Sequence, residues 1–282
     1  MKRKNSLSKI ILILMLLIGL SLLLYPSVSD YWNSFTQSQA IINYAEQVAH
    51  LDTEQYDRIW QDAFAYNASL VGRRNDYLLS DEQRSEYNRL LNVAGNGIMG
   101  YIEIPSIGVE LPIYHGTADS ALAVAIGHLE WTSLPVGGAD SHCVVSGHRG
   151  LPSAKLFTDL DQLALGDYFL LRILDETLTY EVDQIRIVEP TQTDDLLIQE
   201  GKDLCSLVTC TPYGINSHRL IVRGHRIENL EQAQTVRVNA DAVVIEKLVV
   251  APFLLAPVLL LALLSLLIPK RKRDNTKDRS HK

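Results

Sequence analysis

Residues 204–224 read LCSLVTCTPYGINSHRLIVRG and contain two strand-like runs joined by a turn that is rich in proline and glycine. The first run covers residues 204–210 and the second covers residues 219–224, and both are rich in β-branched and other apolar residues. The pattern predicts two successive β-strands, with Cys210 at the end of one and Arg219 at the start of the next. A side chain at a strand end can be held rigidly while it faces a cleft, so the same stretch predicts a site.

Runs of this kind follow one another from residue 97 onward. Short β-branched and aromatic runs alternate with turns that contain Gly, Pro and Asp, at residues 99–104, 110–114, 143–146, 168–174, 178–182, 185–188, 204–210 and 219–224. About eight closely spaced strands predict a mainly β domain, folded as a closed or nearly closed barrel. Residues 120–127 and 154–163 are predicted to form short helices between the strands.

A helical extension over residues 30–96 is predicted to precede the barrel domain of residues 97–230. Its apolar residues recur at three- and four-residue spacing in two stretches, residues 40–45 and 56–66. Ser80 is followed three residues later by Gln83, which is the arrangement of a capping box and predicts a further helix start.

The ends of the chain are apolar runs next to basic clusters. Residues 10–29 follow a basic tip at residues 1–9 and predict a transmembrane anchor or an uncleaved signal. Residues 248–268 carry no charge and precede a basic tail at residues 269–282, which predicts a second transmembrane helix. Basic clusters favour the cytoplasmic side, so both termini are expected inside the cell. The domain between the two apolar runs and a linker over residues 231–247 are expected outside the cell, tethered to membrane lipid through two anchors.

The composition narrows the class of protein. There are 33 acidic and 26 basic residues, and a net charge of -7 argues against nucleic acid as a partner. The three cysteines are too few, and odd in number, for a disulfide scaffold. Cys143 and Cys205 are predicted to be buried thiols, which leaves Cys210 as the working one.

A thiol, an imidazole and a guanidinium are the parts that acyl transfer through a thioester needs. His148 ends another apolar run, within Ser-Gly-His-Arg-Gly, and joins Cys210 and Arg219 as a candidate catalytic set. Arg223, on the same predicted strand face as Arg219, and Arg149 are competing cations. The chain contains no Cys-x-x-Cys, His-Glu-x-x-His or Gly-x-Ser-x-Gly motif, so neither a metal site nor a serine hydrolase is predicted.

Five segments together resemble the class C, or pilin-polymerising, sortases of Gram-positive bacteria: residues 97–105, 111–117, 127–138, 146–152 and 209–219. The resemblance covers residues 56–227. It implies a sortase β-barrel with a helical N-terminal extension, and transpeptidation without a cofactor. In this reading Cys210 is the nucleophile, His148 handles the protons, and Arg219 holds the substrate carbonyl or the oxyanion.

The resemblance also implies the substrates. A pilin that bears an LPXTG-like sorting signal would be cleaved after its threonine, and a lysine amine of another pilin subunit would resolve the thioester. Ser146 and Thr209 are predicted to bind the substrate. Two alternatives stay open, a housekeeping-type sortase that attaches surface proteins to peptidoglycan and a non-catalytic surface scaffold or adhesin of the same fold.

The sequence departs from the family pattern in two places. Ser206 stands where the family motif Thr-Leu-x-Thr-Cys has its first threonine, and it keeps the hydroxyl group. Many class C enzymes carry a lid with Asp-Pro and an aromatic residue, but no Asp-Pro occurs before Gly97. Asp76 and Tyr77 are the candidate lid here, with the carboxylate paired to Arg219 and the ring placed over Cys210.

Overall fold

The computed structural model describes residues 2–72 and 78–229, with the backbone alone for residues 2–9. The described residues form two compact units, and the boundary between the units lies between residues 28 and 29. The candidate lid residues Asp76 and Tyr77 lie outside the described residues. So do the predicted linker, second transmembrane helix and basic tail.

Helix α1, Lys2–Ala49, contains the predicted N-terminal anchor. In the described part of the chain, its stretch Ile10–Ala49 is the one helix that is long and apolar enough to cross a membrane. Pro26 lies inside the helix and lacks one backbone donor without ending it, as prolines in apolar helices often do. The predicted anchor of residues 10–29 is therefore the first part of a longer helix.

Two shorter helices follow, and side-chain caps explain where each begins. Helix α2, Thr53–Leu70, starts with a capping box between Asp52 and Gln55. Helix α3, Asp81–Arg89, starts with the predicted box between Ser80 and Gln83. Each box satisfies backbone donors that the first helical turn leaves unpaired. The prediction of a helix start at Ser80 is confirmed.

Buried polar anchors join the helices to the β domain. The Tyr44 hydroxyl of α1 donates to the Met99 carbonyl at 2.9 Å and accepts from the Leu174 amide at 2.8 Å. In α2, the Asn67 side chain donates to the Leu134 carbonyl at 3.1 Å and accepts from the Leu134 amide at 2.7 Å. These hydrogen bonds thus anchor the helical extension to the β domain.

The predicted closed barrel of eight strands is confirmed. The strands are β1 (Ile98–Ile104), β2 (Val109–His115), β3 (Ile126–His128), β4 (Ser141–Ser146), β5 (Tyr168–Ile173), β6 (Glu176–Val188), β7 (Asp203–Thr211) and β8 (His218–Ile227). They close in the order β1-β2-β3-β4-β7-β8-β6-β5. The pairs β2–β3 and β4–β7 are parallel, and all the other neighbours are antiparallel.

Two strands differ from the sequence prediction. The predicted strands at 178–182 and 185–188 are the single strand β6, because a bulge between Val182 and Gln184 absorbs the aspartate between them. Strand β3 was not predicted, since three residues are too few for a periodic pattern. Its Gly127 pairs with Tyr114, and a Cβ at this glycine would lie 2.1 Å from the Gly116 carbonyl oxygen.

The predicted short helices are only partly present. In place of a helix at 120–127, helix α4 covers Asp119–Leu122 and β3 follows it. In place of a helix at 154–163, the chain forms turns and a short 3₁₀ helix, Leu160–Gln162. The helix predictions there failed because a few apolar residues near one another also suit a tightly packed loop.

Apolar residues pack on both faces of the barrel wall. The inner face holds the large core, to which β7 contributes Cys205 and Leu207. A smaller cluster lies on the outer face, where strand residues alternate with the inner ones and Leu196 joins them from a 3₁₀ helix: Val144, Val188, Leu196, Val208 and Ile221, with Leu129 and Trp131 packed against it. The sheet is therefore buried on both faces along β4, β7 and β8, close to the candidate site.

Candidate active site

Cys210 is the penultimate residue of β7 and belongs to the outer face of the barrel. Residues alternate across a strand, so it shares its face with Val208, whereas Thr209 and Thr211 point to the other side. Its thiol is partly exposed, unlike the buried Cys143 and Cys205. A cis peptide bond joins Thr211 to Pro212 just after the strand.

Arg219 lies directly opposite Cys210 in the antiparallel pairing of β7 with β8. Directly opposed side chains project from the same face, with Cβ atoms about 4.5–5.5 Å apart. The guanidinium donates to the carbonyl oxygens of Asn216 at 3.3 Å and His218 at 3.1 Å. These bonds hold the guanidinium against the backbone that leads into β8, and the pairing places the Arg219 side chain on the same face of the sheet as the thiol.

The two competing arginines have carboxylate partners. Arg223 forms a two-point ion pair with Asp183, with distances of 2.9 and 3.1 Å. Arg149 is ion-paired with Asp161 and donates to the Thr211 hydroxyl at 3.2 Å. Among the described residues, no carboxylate forms an ion pair with Arg219, which leaves it the best placed to bind a developing negative charge.

His148 reaches the same level of the barrel through the parallel pairing of β4 with β7. Ser146 is paired with Val208, and the Gly147 amide donates to the Val208 carbonyl at 3.1 Å. Two residues further along each chain are His148 and Cys210, so this register places the two residues at the same end of neighbouring strands. His148 is partly exposed. Cys210 therefore has the chain segment of His148 on its β4 side and Arg219 on its β8 side.

The outer-face cluster begins next to Cys210 and Arg219, and we call this apolar surface the apolar floor. Val208 and Ile221 are the residues two positions inward from Cys210 and Arg219 on their strands. On β4, Val144 lies two positions before Ser146, on the same face of the sheet. Leu129 and Trp131 pack against the cluster. The arrangement suits an extended peptide with apolar side chains, because it offers apolar contacts next to the reactive groups.

The two predicted substrate-binding residues lie on different faces. Ser146 is partly exposed and belongs to the face of Cys210, since it is paired with Val208. Thr209 is buried in the barrel wall, and its hydroxyl donates to the Gly147 carbonyl at 2.8 Å. The structure brings Ser146 to the trio but directs Thr209 away from its open side, and substrate binding by either residue stays a prediction.

The residues that line the apolar floor were not identified as functional from the sequence. A signal for them was present, because alternation along a strand leads back from Cys210 to Val208 and forward from Arg219 to Ile221. Trp131 carries no such signal, since it reaches the floor through a loop. Only the three-dimensional packing assigns it to the site.

Three other histidines, of which His128 and His142 are buried and His115 is partly buried, are hydrogen-bonded to structural partners. His115 faces the carbonyls of Gly97 at 2.9 Å and Leu90 at 2.7 Å through its two ring nitrogens. His128 lies between the Tyr87 hydroxyl at 2.9 Å and the Ser133 carbonyl at 2.8 Å.

His142, on β4, lies between the Leu197 carbonyl at 2.9 Å and the Ser206 hydroxyl at 2.8 Å. Burial lowers the pKa of His142 from its ordinary value to about 4, against the opposing effect of the Leu197 hydrogen bond. The ring is therefore neutral at physiological pH. It donates to Leu197 and accepts from Ser206, which stands at the family's first threonine position.

Comparison with known proteins gives one consistent result. A family model of the sortase domain matches residues 102–227. Sortase C1 of Streptococcus agalactiae is 49% identical with a TM-score of 0.67, and the match covers 68% of this chain and 100% of that one. Sortase C of Streptococcus pneumoniae, studied for its pilin substrate specificity, is 42% identical with a TM-score of 0.59, over 68% of this chain and 97% of that one.

A more distant relative is sortase D of Bacillus subtilis, 32% identical over 131 residues. That match covers 45% of this chain and 63% of the relative's length. Taken with the barrel and the trio, these matches show that the chain belongs to the sortase family of cysteine transpeptidases. The solved structures that it resembles at 42–49% identity are class C sortases.

Proposed function

We propose that this chain is a membrane-anchored transpeptidase that joins pilin subunits. It cleaves an LPXTG-like sorting signal after the threonine and transfers the acyl group to a lysine amine of another pilin subunit. The observation that carries the proposal is the strand register around Cys210, with Arg219 paired directly opposite and the β4–β7 pairing ending two residues before His148 and Cys210. The likeness to class C sortases supports the pilin as substrate.

The first half of the reaction forms a thioester. The Cys210 sulfur attacks the carbonyl carbon of the threonine, and Arg219 donates hydrogen bonds to the oxygen that becomes negative. The carbon–nitrogen bond to the glycine then breaks, and the leaving amine takes a proton from His148. A guanidinium suits the oxyanion because it keeps its charge and presents several donors in one plane.

The second half transfers the acyl group. A neutral lysine amine attacks the thioester carbonyl and gives its surplus proton to His148. The Cys210 thiolate leaves, and an isopeptide bond remains between the two subunits. The imidazole thus returns to its protonated form, so no cofactor is needed to complete the cycle.

The apolar floor supports a peptide of this kind. Leucine and proline of a sorting signal are apolar, and Val208, Ile221 and Trp131 offer apolar contacts beside the nucleophile. Burial of one such side chain contributes about 1.5–3 kcal/mol. The signal's threonine carbonyl would then lie over Cys210, and Ser146 could contact its backbone.

The test is mass spectrometry of the full chain in detergent micelles with an LPXTG-type peptide. The expected result is a thioester adduct on the wild type, with loss of the segment beyond the threonine, and none on Cys210→Ala. No adduct on the folded wild type would contradict an enzymatic role and favour the scaffold or adhesin alternative.

A second arm separates the two enzyme classes. A peptide with the pilin acceptor lysine and a peptidoglycan-like amine compete for the preformed thioester. Release of the lysine isopeptide product supports pilin joining. Faster transfer to the peptidoglycan-like amine would instead identify a housekeeping-type sortase.

A further inference from the structure

The residues on either side of His148 are bonded to the residues on either side of Cys210. Before the catalytic residues, the Thr209 hydroxyl donates to the Gly147 carbonyl at 2.8 Å, in a buried position. After them, the Arg149 guanidinium donates to the Thr211 hydroxyl at 3.2 Å. The two hydrogen bonds therefore enclose the catalytic pair between them.

These bonds occur where the backbone ladder ends. The pairing of β4 with β7 ends at Ser146 and Val208, and one further bond joins the Gly147 amide to the Val208 carbonyl at 3.1 Å. Beyond that point the chain leaves the sheet in a turn. His148 would lack a fixed height relative to Cys210 if side chains did not continue the connection between the two strands.

The burial and the ion pair of Arg149 suit a side chain that holds two chain segments at a fixed distance. Its side chain is only 10% exposed and is ion-paired with Asp161, which is 47% exposed on the 3₁₀ helix after the turn. A buried guanidinium is costly unless it is paired and hydrogen-bonded, so the partners specify its geometry. Asp161 holds one end of the guanidinium, and the other end is directed to Thr211.

The rest of the turn is tied down as well. The Phe157 amide donates to the His148 carbonyl at 3.1 Å, and the Gly150 amide donates to the Thr158 hydroxyl at 3.1 Å. The backbone of His148 is thus held on the loop side too. The distance between His148 and β7 still has to be set. The Thr209 and Arg149 hydrogen bonds both connect the His148 segment to β7, so they can set that distance.

We propose that Arg149 and Thr209 are positioning residues, which hold the His148 imidazole at the height of the Cys210 sulfur through Thr211 and Gly147. The inference rests on the proposed function and deepens it. It gives Thr209 a structural link to the catalytic histidine in place of a contact with the substrate. A displacement of about 1 Å between reacting groups can lower a rate about 100-fold, so such a brace matters for turnover.

The first experiment compares Thr211→Val, Arg149→Lys and Thr209→Val with the wild type, using the full chain in micelles. Valine keeps the shape of threonine and removes the hydroxyl group. The proposal expects kcat for peptide cleavage to fall about 10- to 100-fold while KM stays within about 2-fold. Thr209→Ser, which restores the hydroxyl, is expected to recover most of the rate.

The control variant is Arg58→Lys. Arg58 also forms an ion pair, with Glu54 at 2.9 Å, but the pair is exposed on α2. This variant should keep the wild-type kcat. The double variant Arg149→Lys with Thr211→Val should be no slower than the worse single variant, because both changes break the same bond.

A second readout needs no substrate. The rate of Cys210 alkylation is measured against pH in each variant, since it depends on how closely the imidazole and thiol interact. The three variants should share a shifted profile, and Arg58→Lys should not. If the wild type formed no thioester but the profiles still shifted, the proposed function would fail and the positioning role would stand.

Two results would overturn the proposal. An increase in KM with unchanged kcat in Thr209→Val would show that Thr209 contacts the substrate. Unchanged kcat and unchanged alkylation profiles in Arg149→Lys and Thr211→Val would show that the bonds only stabilise the fold. Circular dichroism of each variant, with the active fraction from Cys210 titration, separates these results from simple unfolding.

Discussion

At the scale of single residues, burial separates the three thiols. Cys143 and Cys205 are paired across β4 and β7 on the inner face, whereas Cys210 is on the outer face. Burial raises the pKa of the Cys205 thiol well above its usual range, which disfavours the reactive thiolate. The prediction that Cys143 and Cys205 are buried is confirmed, and the role of Cys210 as the working thiol stays a prediction.

A labelling experiment tests that separation. Iodoacetamide added to the folded protein is expected to modify Cys210 alone, because the other two sulfurs are out of reach of solvent. In urea, all three should react. Peptide mapping by mass spectrometry reads out the sites, with Cys210→Ala as the unlabelled control. Modification of Cys143 in the folded protein at the rate of Cys210 would contradict the buried assignment.

His142 makes stability depend on pH. Its pKa is near 6.5 in an unfolded chain and is lowered by burial to about 4 in the folded one. Between these values the unfolded state binds more protons, so acidification favours unfolding. The stabilising contribution is complete above about pH 6.5 and is lost as the pH falls toward 4.

From pH 7.5 to 5.5 we expect the free energy of unfolding to fall by about 1 kcal/mol through this group. Burial also lowers the pKa of His115, which adds an effect of the same sign. Urea unfolding followed by fluorescence measures the change. His142→Gln should flatten the pH dependence, and an equal slope in wild type and variant would rule out His142 as its source.

At the scale of elements, the helical extension depends on single buried polar contacts. Tyr44 joins α1 to two barrel segments through the Met99 carbonyl and the Leu174 amide. Tyr44→Phe leaves both backbone groups buried without this partner. A buried group left unpaired costs about 1–3 kcal/mol, and we expect a loss of that size.

Thermal unfolding of the protein tests the Tyr44 prediction, by comparing the unfolding midpoint of Tyr44→Phe with that of the wild type. The matched control is Tyr31→Phe, also in α1, where the side chain is 65% exposed. This change should leave the midpoint within about one degree, because surface substitutions rarely exceed about 0.5 kcal/mol. Equal midpoints for both variants would show that Tyr44 does not anchor the helix.

Most strands, but not all, could be predicted from the local pattern of apolar residues. Six predicted runs coincide with β1, β2, β4, β5, β7 and β8, because each has enough alternating residues to set a period. Asp183 misled the prediction for β6, since aspartate usually marks a turn. Here it sits at a bulge and pairs with Arg223, a contact between strands that no local pattern contains.

At the scale of the whole molecule, the orientation in the membrane is a prediction. The apolar helix α1 precedes the barrel, and the basic tip predicts that its start is cytoplasmic. We expect a membrane-impermeant maleimide to label Cys210 on intact cells that produce the protein. Cys210→Ala should stay unlabelled, and labelling that requires lysis would place the barrel on the inner side.

The sequence by itself determined the barrel class and the apolar N-terminal helix, and it supplied the prediction of Cys210, His148 and Arg219 as the site. These follow from local periods, from the order of apolar and charged residues, and from motifs long enough to be specific. They need no knowledge of which strands are neighbours.

The tertiary structure alone decided which strands are neighbours. The parallel pairing of β4 with β7 runs to Ser146 and Val208, two residues before His148 and Cys210, and its register depends on contacts between segments far apart in the chain. The preference for Arg219 over Arg223 stays a prediction, and it is supported by the ion pair that Arg223 forms with Asp183 on β6. Pairing between distant strands reflects the packing of the whole barrel, and a local pattern carries no record of it.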